Sequence, residues 1–142
     1  MTTDQSSPAA VAAAPNRHER VLDEAARQLN EKGVLLTSLA EIAGKLGVTR
    51  AAMYYYVADR EDLVFQCYRR AAEITARRLL EASRGSASAP DVLRSFFTRM
   101  LDPDEPEIAA RAEIAMLNQQ QRDTILGLYD ALATRIAHLI ES

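Results

Sequence analysis

The stretch TSLAEIAGKLGVTRAAMYYYV at residues 37–57 constrains the fold more than any other part of the chain. Ser38 is followed three residues later by Glu41, the spacing of a capping box, which predicts that a helix starts at Ser38. Gly47 ends that helix after roughly two turns, and Thr49 caps a further helix predicted over residues 50–57. Two short helices joined through a glycine turn form a helix-turn-helix.

Longer helices are predicted on both sides of this motif. Apolar side chains recur every three to four residues over 17–32, and Gly33 follows at the position that commonly closes a helix. A fourth helix is predicted over 60–83, with Asp59 as its cap. Since only five Gly and five Pro occur among 142 residues, the composition favours an all-α protein.

A break rich in serine, glycine and alanine, SRGSASAP at residues 83–90, follows the fourth helix and marks the expected domain boundary. Beyond it, helices are predicted over 91–101, 107–119 and 122–141. The expected organisation is therefore a disordered tail, a helix-turn-helix domain with its connecting helix, and a helical regulatory domain, at residues 1–16, 17–83 and 84–142.

The three consecutive tyrosines, Tyr54, Tyr55 and Tyr56, cannot all face the core, because neighbouring residues on a helix lie about 100° apart. Met53 and Val57 are the apolar pair of this helix and are expected to point inward. A lone tyrosine is as well explained by core or capping surface, and a lone arginine by a solvated charge. The face expected to be exposed consists of Arg50, Ala51, Tyr54 and Tyr55, with Tyr56 at its side.

These exposed groups suit the major groove of double-stranded DNA. A guanidinium pairs with the O6/N7 edge of guanine, alanine methyls contact thymine methyls, and phenol hydroxyls bond phosphates. Hydroxyls and free N–H groups at helix starts favour phosphate, and Arg60 opens the fourth helix on the same side. The predicted DNA contacts are Thr37, Ser38, Thr49, Arg50, Ala51, Tyr54, Tyr55, Tyr56 and Arg60.

Charge and cysteine content remove competing classes. The net charge is −3, but residues 17–83 carry 11 basic and 10 acidic side chains against 6 and 9 in residues 84–142. The acidity therefore lies away from the tyrosines and is no objection to nucleic-acid binding. Cys67 is the single cysteine, which excludes an intramolecular disulfide and a cysteine-based zinc site and fits a reducing cytoplasm.

No chemistry-bearing cluster is visible in the sequence. It has no catalytic constellation, metal-ligand spacing or phosphate loop, so we expect neither an enzyme nor a cofactor or metal. The sequence contains no run of about 18 apolar residues, so we expect no membrane-spanning segment. In the second half, one aromatic and methionine-rich set is explained either by ordinary core packing or by a pocket for a small-molecule effector: Phe96, Phe97, Met100, Met116, Leu117 and Tyr129.

The segment TSLAEIAGKLGVTRAAMYYYVADREDLVFQ resembles the N-terminal DNA-binding domain of the TetR (tetracycline-repressor-like) family. The family pattern of Thr/Ser-x-x-x-Ile-Ala, Gly-Val-Ser/Thr, Leu-Tyr-x-His/Tyr-Phe and x-x-Lys-x-x-Leu corresponds to residues 38–43, 47–49, 53–57 and 60–63. Met53 replaces the usual Leu, Val57 the usual Phe, and Arg60 the usual Lys with retention of charge. The resemblance covers about residues 17–68.

The resemblance implies a homodimeric transcription regulator, commonly a repressor released from its operator by a small ligand. By matching positions, it implies the same DNA contacts as above, except Thr37. Members usually end with two further helices that pack against their dimer mates, whereas this sequence stops at the family's seventh helix. It is then either a fragment or a protein that dimerises differently. The alternative function is a helical interaction module that keeps the fold but no longer binds DNA.

Overall fold

The computed structural model describes residues 16–85 and 88–141. Within these ranges the chain forms six α-helices, one 3-10 turn and no strand, which confirms the all-α class. The tail predicted for residues 1–16 lies, except for Asn16, outside the described residues. In chain order the elements are α1 Arg17–Lys32, α2 Leu39–Leu46, α3 Arg50–Met53, α4 Arg60–Arg84, α5 Ala89–Met100, the 3-10 turn Ile114–Met116, and α6 Gln119–Glu141.

Side-chain caps fix where the first four helices begin. The Asn16 carboxamide accepts from Glu19 N at 2.8 Å and starts α1. The Ser38 hydroxyl accepts from Glu41 N at 3.3 Å, the Thr49 hydroxyl from Ala52 N at 3.1 Å, and Asp59 from Asp62 N at 2.8 Å. Each cap satisfies a backbone N–H that has no partner within its own helix, so the predicted starts of α2, α3 and α4 are confirmed.

A first core joins α1, α2, α3 and the N-terminal half of α4. Its fully buried side chains include Val21, Ile42, Met53 and Leu63. The core is completed from the C-terminal part of the chain by Ala109, Leu117 and Ile125. The helix-turn-helix is therefore packed against residues that follow it by 50 positions or more.

Two titratable groups lie inside this first core. Burial raises the pKa of the Cys67 thiol to about 12, so the thiolate is absent at neutral pH. Burial also raises the pKa of Tyr68, although its hydroxyl accepts a hydrogen bond from Glu113 N at 3.2 Å. Cys67 is thus a core residue, as predicted.

A second, smaller core lies between α4, α5 and α6. Its members are Leu79 and Ala82 of α4, Val92 and Phe96 of α5, and Leu132 of α6. Helix α4, 25 residues long, therefore supplies side chains to both cores and connects them. No described helix is both long enough and apolar enough to cross a lipid bilayer.

The helix predicted over residues 107–119 is wrong. Residues 107–113 have no regular secondary structure and lead into the short 3-10 turn. The Asn30 carboxamide donates to Ile108 O at 2.9 Å and accepts from Ala110 N at 2.7 Å, which withdraws both backbone groups from a helical ladder. The helix-forming composition of this segment is therefore overridden by tertiary hydrogen bonds.

The third helix is shorter than predicted, because its α-helical part ends at Met53 instead of Val57. The N–H groups of the next three residues bond to carbonyls three positions back, Tyr54 N to Ala51 O at 3.3 Å and Tyr56 N to Met53 O at 2.9 Å. The helix tightens in its last turn, as helix ends commonly do. The three tyrosines stand in this tightened segment, which we call the tyrosine turn (residues 54–56).

Candidate nucleic-acid interface

The tyrosine turn points two of its three rings into solvent. Tyr55 is 90% exposed and Tyr54 52% exposed, while Met53 and Val57 on either side are 0% and 1% exposed. The inward and outward assignment made from the sequence is therefore confirmed. Two aromatic rings displayed at this level are unusual for a surface without a partner, since tyrosines normally bury most of their ring.

Arg50, Tyr54 and Arg60 line one open cleft of about 310 Å³ between α2, α3 and the start of α4. Ser38, the cap of α2, lies on the same cleft. Four of the residues predicted to contact DNA are thus brought together, although they span 22 positions of sequence. We call this concavity the helix-turn-helix cleft; its other lining residues are Leu39, Ala40, Ala58 and Asp59.

A second concavity shares Tyr54 with the helix-turn-helix cleft. It measures about 490 Å³ and is lined by Thr49, Ala51 and Ala52 together with Tyr54 and Tyr55. Tyr54 therefore contributes to the walls of both concavities. Because Ala51 and Ala52 are small, a bulky partner can approach the α3 backbone closely here.

The two arginines of the helix-turn-helix cleft carry uncompensated charge. Both are exposed, and no carboxylate of residues 16–85 and 88–141 forms an ion pair with either guanidinium; the ion pairs found there involve Arg27, Lys32, Arg69, Arg70, Arg78, Arg94 and Arg99. The carboxylate that lines the cleft, Asp59, uses an oxygen to cap α4 at 2.8 Å. Unpaired guanidinium groups next to exposed phenols form a surface suited to an anionic partner.

Thr37 has to be removed from the residues predicted to contact DNA. Its side chain is 1% exposed, and its hydroxyl donates to Gly33 O at 2.8 Å. The hydroxyl is therefore consumed inside the protein, where it ties the start of the α1–α2 loop to its end, and has no free surface to offer a phosphate. The Ser38 and Thr49 oxygens accept from backbone N–H groups, so their own O–H protons remain available to a partner.

Tyr56 is held at the side of the turn by residues that the sequence did not indicate. The His18 ring stacks on the Tyr56 ring, with centroids 5.7 Å apart, and His18 Nε2 lies 2.7 Å from Gln66 Oε1. Gln66 in turn donates to Tyr56 O at 2.9 Å. His18 and Gln66 position the tyrosine turn, although they lie 38 and 10 positions from Tyr56 in the sequence. No local sequence pattern predicts such a contact.

The residues predicted to line an effector pocket do not gather around one cavity. Phe96 lies in the second core with Met100 packed against it, whereas Leu117 and Met116 belong to the first core. Phe97 is 56% exposed. The set thus divides between two cores and the surface; Tyr129 packs against both cores, beneath the Arg111 guanidinium at 4.2 Å from the ring centroid. Core packing accounts for all of these residues except Phe97.

Residues 16–85 and 88–141 contain no group of three His, Cys, Asp or Glu side chains arranged to hold a metal ion. The arrangement that remains is a helix-turn-helix with two exposed arginines on a helical scaffold, the arrangement typical of helix-turn-helix DNA-binding regulators. Residues 21–67 match the family model described as bacterial regulatory proteins of the tetR family. Over these residues the chain is similar to the TetR-family transcriptional regulators.

Comparison with individual proteins agrees with this assignment. The HTH-type transcriptional regulator AcrR of Shigella flexneri is 29% identical over 143 aligned residues, which cover 91% of this chain and 66% of AcrR. The TetR-family regulator PfmR from Thermus thermophilus superposes with a TM-score of 0.63 at 23% identity, covering 86% of this chain and 69% of PfmR. A TetR-family regulator from Bordetella parapertussis gives 0.65 at 15% identity, covering 89% and 68%.

The two structural likenesses are below 25% identity and establish the fold alone. The chain spans 66% of the length of the curated relative. The relative's name describes a transcriptional regulator, and the family model that matches residues 21–67 of this chain describes bacterial regulatory proteins.

Proposed function

We propose that this protein binds double-stranded DNA sequence-specifically as a homodimer and acts in the cytoplasm as a repressor that a small ligand releases from a palindromic operator. The observation that carries the proposal is the helix-turn-helix cleft, in which Arg50, Tyr54 and Arg60 are exposed together and neither guanidinium forms an ion pair with a carboxylate of the described residues. A surface that concentrates unpaired positive charge next to phenols favours the phosphate-flanked edge of a duplex.

Each exposed group has a role that its chemistry fits. Arg50 is the base-reading residue, because a guanidinium donates two parallel hydrogen bonds to guanine O6 and N7. Ala51 contacts a thymine methyl or leaves room for the base edges. The hydroxyls of Tyr54 and Tyr55 donate hydrogen bonds to phosphates. The guanidinium of Arg60, at the start of α4, also donates to a phosphate.

The hydroxyls of Ser38 and Thr49 add phosphate contacts at the starts of α2 and α3. Both oxygens already accept from the backbone, and each hydroxyl still has its own proton to donate to a phosphate. Tyr56 contributes its position more than its surface, because His18 and Gln66 hold it beside the exposed face. The set proposed for DNA therefore omits Thr37.

Dimerisation follows from the geometry of DNA. One short recognition helix covers few base pairs, and two copies reading half-sites about 34 Å apart supply the missing specificity. Release by a ligand requires only a few kcal/mol of differential affinity between two spacings of the heads. Division at residue 84 into a DNA-binding part and a regulatory part belongs to the same proposal.

Selection from a random duplex library followed by fluorescence anisotropy tests the proposal. For the selected duplex, Arg50→Ala is expected to weaken binding roughly 10- to 100-fold and to relax specificity at one base pair. Arg60→Ala is expected to weaken all sequences alike and to lower the salt slope by about 1. Tyr54→Phe tests the hydroxyl alone.

Arg94→Ala is the matched control, because this arginine of α5 is 78% exposed in its side chain and lies outside the cleft. Light scattering at micromolar concentration tests the dimer separately. Unchanged affinity and salt slope in both Arg50→Ala and Tyr54→Phe refute the interface. A strict monomer refutes the dimer and returns the interaction-module alternative.

A further inference from the structure

A second cleft, distant from the helix-turn-helix cleft, lies where α1, α4 and the turn after α5 meet. It has a volume of about 350 Å³, and the six charged residues along its walls are Glu19, Arg70, Arg77, Arg78, Glu81 and Glu105. We call it the arginine cleft, because three guanidiniums from two turns of α4 converge on it. Neither the family match nor the DNA-binding surface gives these arginines a role.

Arg78 is the unusual member, because it is a buried cation with incomplete compensation. It is 4% exposed, and its Nε atom is buried without a hydrogen-bond partner among the described residues. One terminal nitrogen donates to Pro106 O at 3.0 Å, and the other meets the Met100 sulfur at 3.7 Å. A sulfur is a weak acceptor, so these contacts leave much of the guanidinium unsatisfied.

The carboxylate that pairs with Arg78 does not neutralise it well. Glu105 Oε2 is 3.5 Å from the guanidinium, and the Glu105 side chain is 36% exposed. A buried charge normally needs close, multiple hydrogen bonds to offset its desolvation. A single long contact to a partly solvated carboxylate falls short of that requirement.

Some of the other charged side chains of the cleft form ion pairs within the protein, and others do not. Arg70 is paired with Asp23 at 2.6 Å, and Glu81 with Arg99 at 3.2 Å. Arg77 is exposed and forms no ion pair with the residues that the structure describes. Available positive charge thus comes from Arg77 and Arg78, and the opposing charge from Glu105 and, at the edge on α1, Glu19.

We propose that the arginine cleft binds a small oxyanion, the carboxylate or phosphate group of a low-molecular-weight ligand, between Arg77 and Arg78. Oxyanions accept parallel hydrogen bonds from guanidinium groups, and these bonds are about twice as strong as neutral ones. A bound oxyanion supplies the acceptors that Arg78 lacks and displaces Glu105 towards solvent. Ile74 and Pro106 give the cleft apolar walls against which the ligand's carbon atoms pack.

This inference goes beyond the proposed function, because oxyanion binding needs neither DNA nor a dimer. The cleft is built from α1, α4 and the 102–106 turn, so a ligand in it contacts both the DNA-binding part and the part that follows. Whether the oxyanion alters DNA binding is a separate measurement. Failure of either experiment leaves the other standing.

The test is a titration of the full chain, with arginine Nε labelled by ¹⁵N, against inorganic phosphate and, in a second arm, against acetate. Ionic strength is held constant with chloride. Saturable shifts of Arg77 and Arg78 resonances are expected with at least one probe; phosphate alone indicates a phosphate ligand, acetate alone a carboxylate ligand, and both a general oxyanion site. Shifts no larger than those with chloride overturn the proposal.

Two variants with opposite expected signs make the result specific. Arg77→Gln removes an exposed donor and is expected to weaken binding roughly tenfold. Glu105→Gln removes the competing carboxylate and is expected to tighten binding several-fold. Both positions are at least partly exposed, so both variants are expected to fold, and Arg94→Gln is the neutral control. Unchanged binding in both variants refutes the site.

Discussion

Substituting Gly33 by alanine tests how strongly the helix-turn-helix depends on the segment that follows α5. Gly33 ends α1 with φ +80° and ψ 175°, a conformation almost restricted to glycine, and a residue with a Cβ adopts it at a cost of about 1–3 kcal/mol. A Cβ built at this position also lies 2.9 Å from Glu113 Oε1. The carboxylate must therefore move.

Movement of that carboxylate has a further cost. The same Glu113 oxygen accepts from Val34 N at 2.9 Å, in the loop that leads to α2. Losing a hydrogen bond to a charged group costs about 1.5–3 kcal/mol when the donor stays buried, and Val34 is 3% exposed. Together the two effects predict a loss of roughly 3–4 kcal/mol in the free energy of unfolding for Gly33→Ala.

Urea denaturation followed by circular dichroism measures this loss. Gly127→Ala is the matched control, because Gly127 lies inside α6 and a Cβ there has open space around it. Alanine is the better helix former by about 1 kcal/mol, so the control is expected to stabilise the protein. A Gly33→Ala variant within about 0.5 kcal/mol of the wild type would refute the reasoning from φ and from the Glu113 contact.

Three further predictions follow from the described contacts. Cys67, whose pKa is raised to about 12 by burial, should react with iodoacetamide at neutral pH only from the unfolded chain, so added urea should accelerate the reaction in proportion to the unfolded fraction. Asn30→Ala removes the hydrogen bonds to Ile108 O and Ala110 N and should cost about 1–2 kcal/mol, with faster amide exchange over residues 108–113. The hydrogen bond from Arg27 lowers the pKa of Glu24 below its ordinary 4.5; its stabilisation is present above that pH and lost as the pH falls through the folded value, so Glu24→Gln should flatten the acid side of the stability profile.

The parts of the fold that sequence reasoning predicted are those coded by local contacts. Ser38, Thr49 and Asp59 cap helices through atoms three residues away, and such short-range bonds leave a clear sequence pattern. Residues 107–113 leave none. Their backbone is held by Asn30, about 80 positions earlier, so composition alone predicted a helix that tertiary hydrogen bonds prevent.

The candidate interface was predicted to a similar extent and for a similar reason. The outward direction of Tyr54 and Tyr55 follows from the inward pull of Met53 and Val57, which is a property of four neighbouring residues. The burial of Thr37 depends on a loop carbonyl four positions back, and the support of Tyr56 on a ring from α1. Neither contact has a periodic signature, and both required the folded chain.

Helix α4 runs without interruption through both cores. A small tilt of this helix therefore moves its N-terminal end by a distance that can be compared with the base-pair spacing of DNA. Its 25 residues give a rod of roughly 37 Å at about 1.5 Å per residue. A tilt of about 5° around its C-terminal end carries Arg60 sideways by about 3 Å, close to the ~3.4 Å spacing of successive base pairs along the duplex axis. A small tilt of α4 about the end that carries Leu79 and Ala82 is thus enough to move Arg60, for which we propose phosphate binding, by about one base-pair spacing.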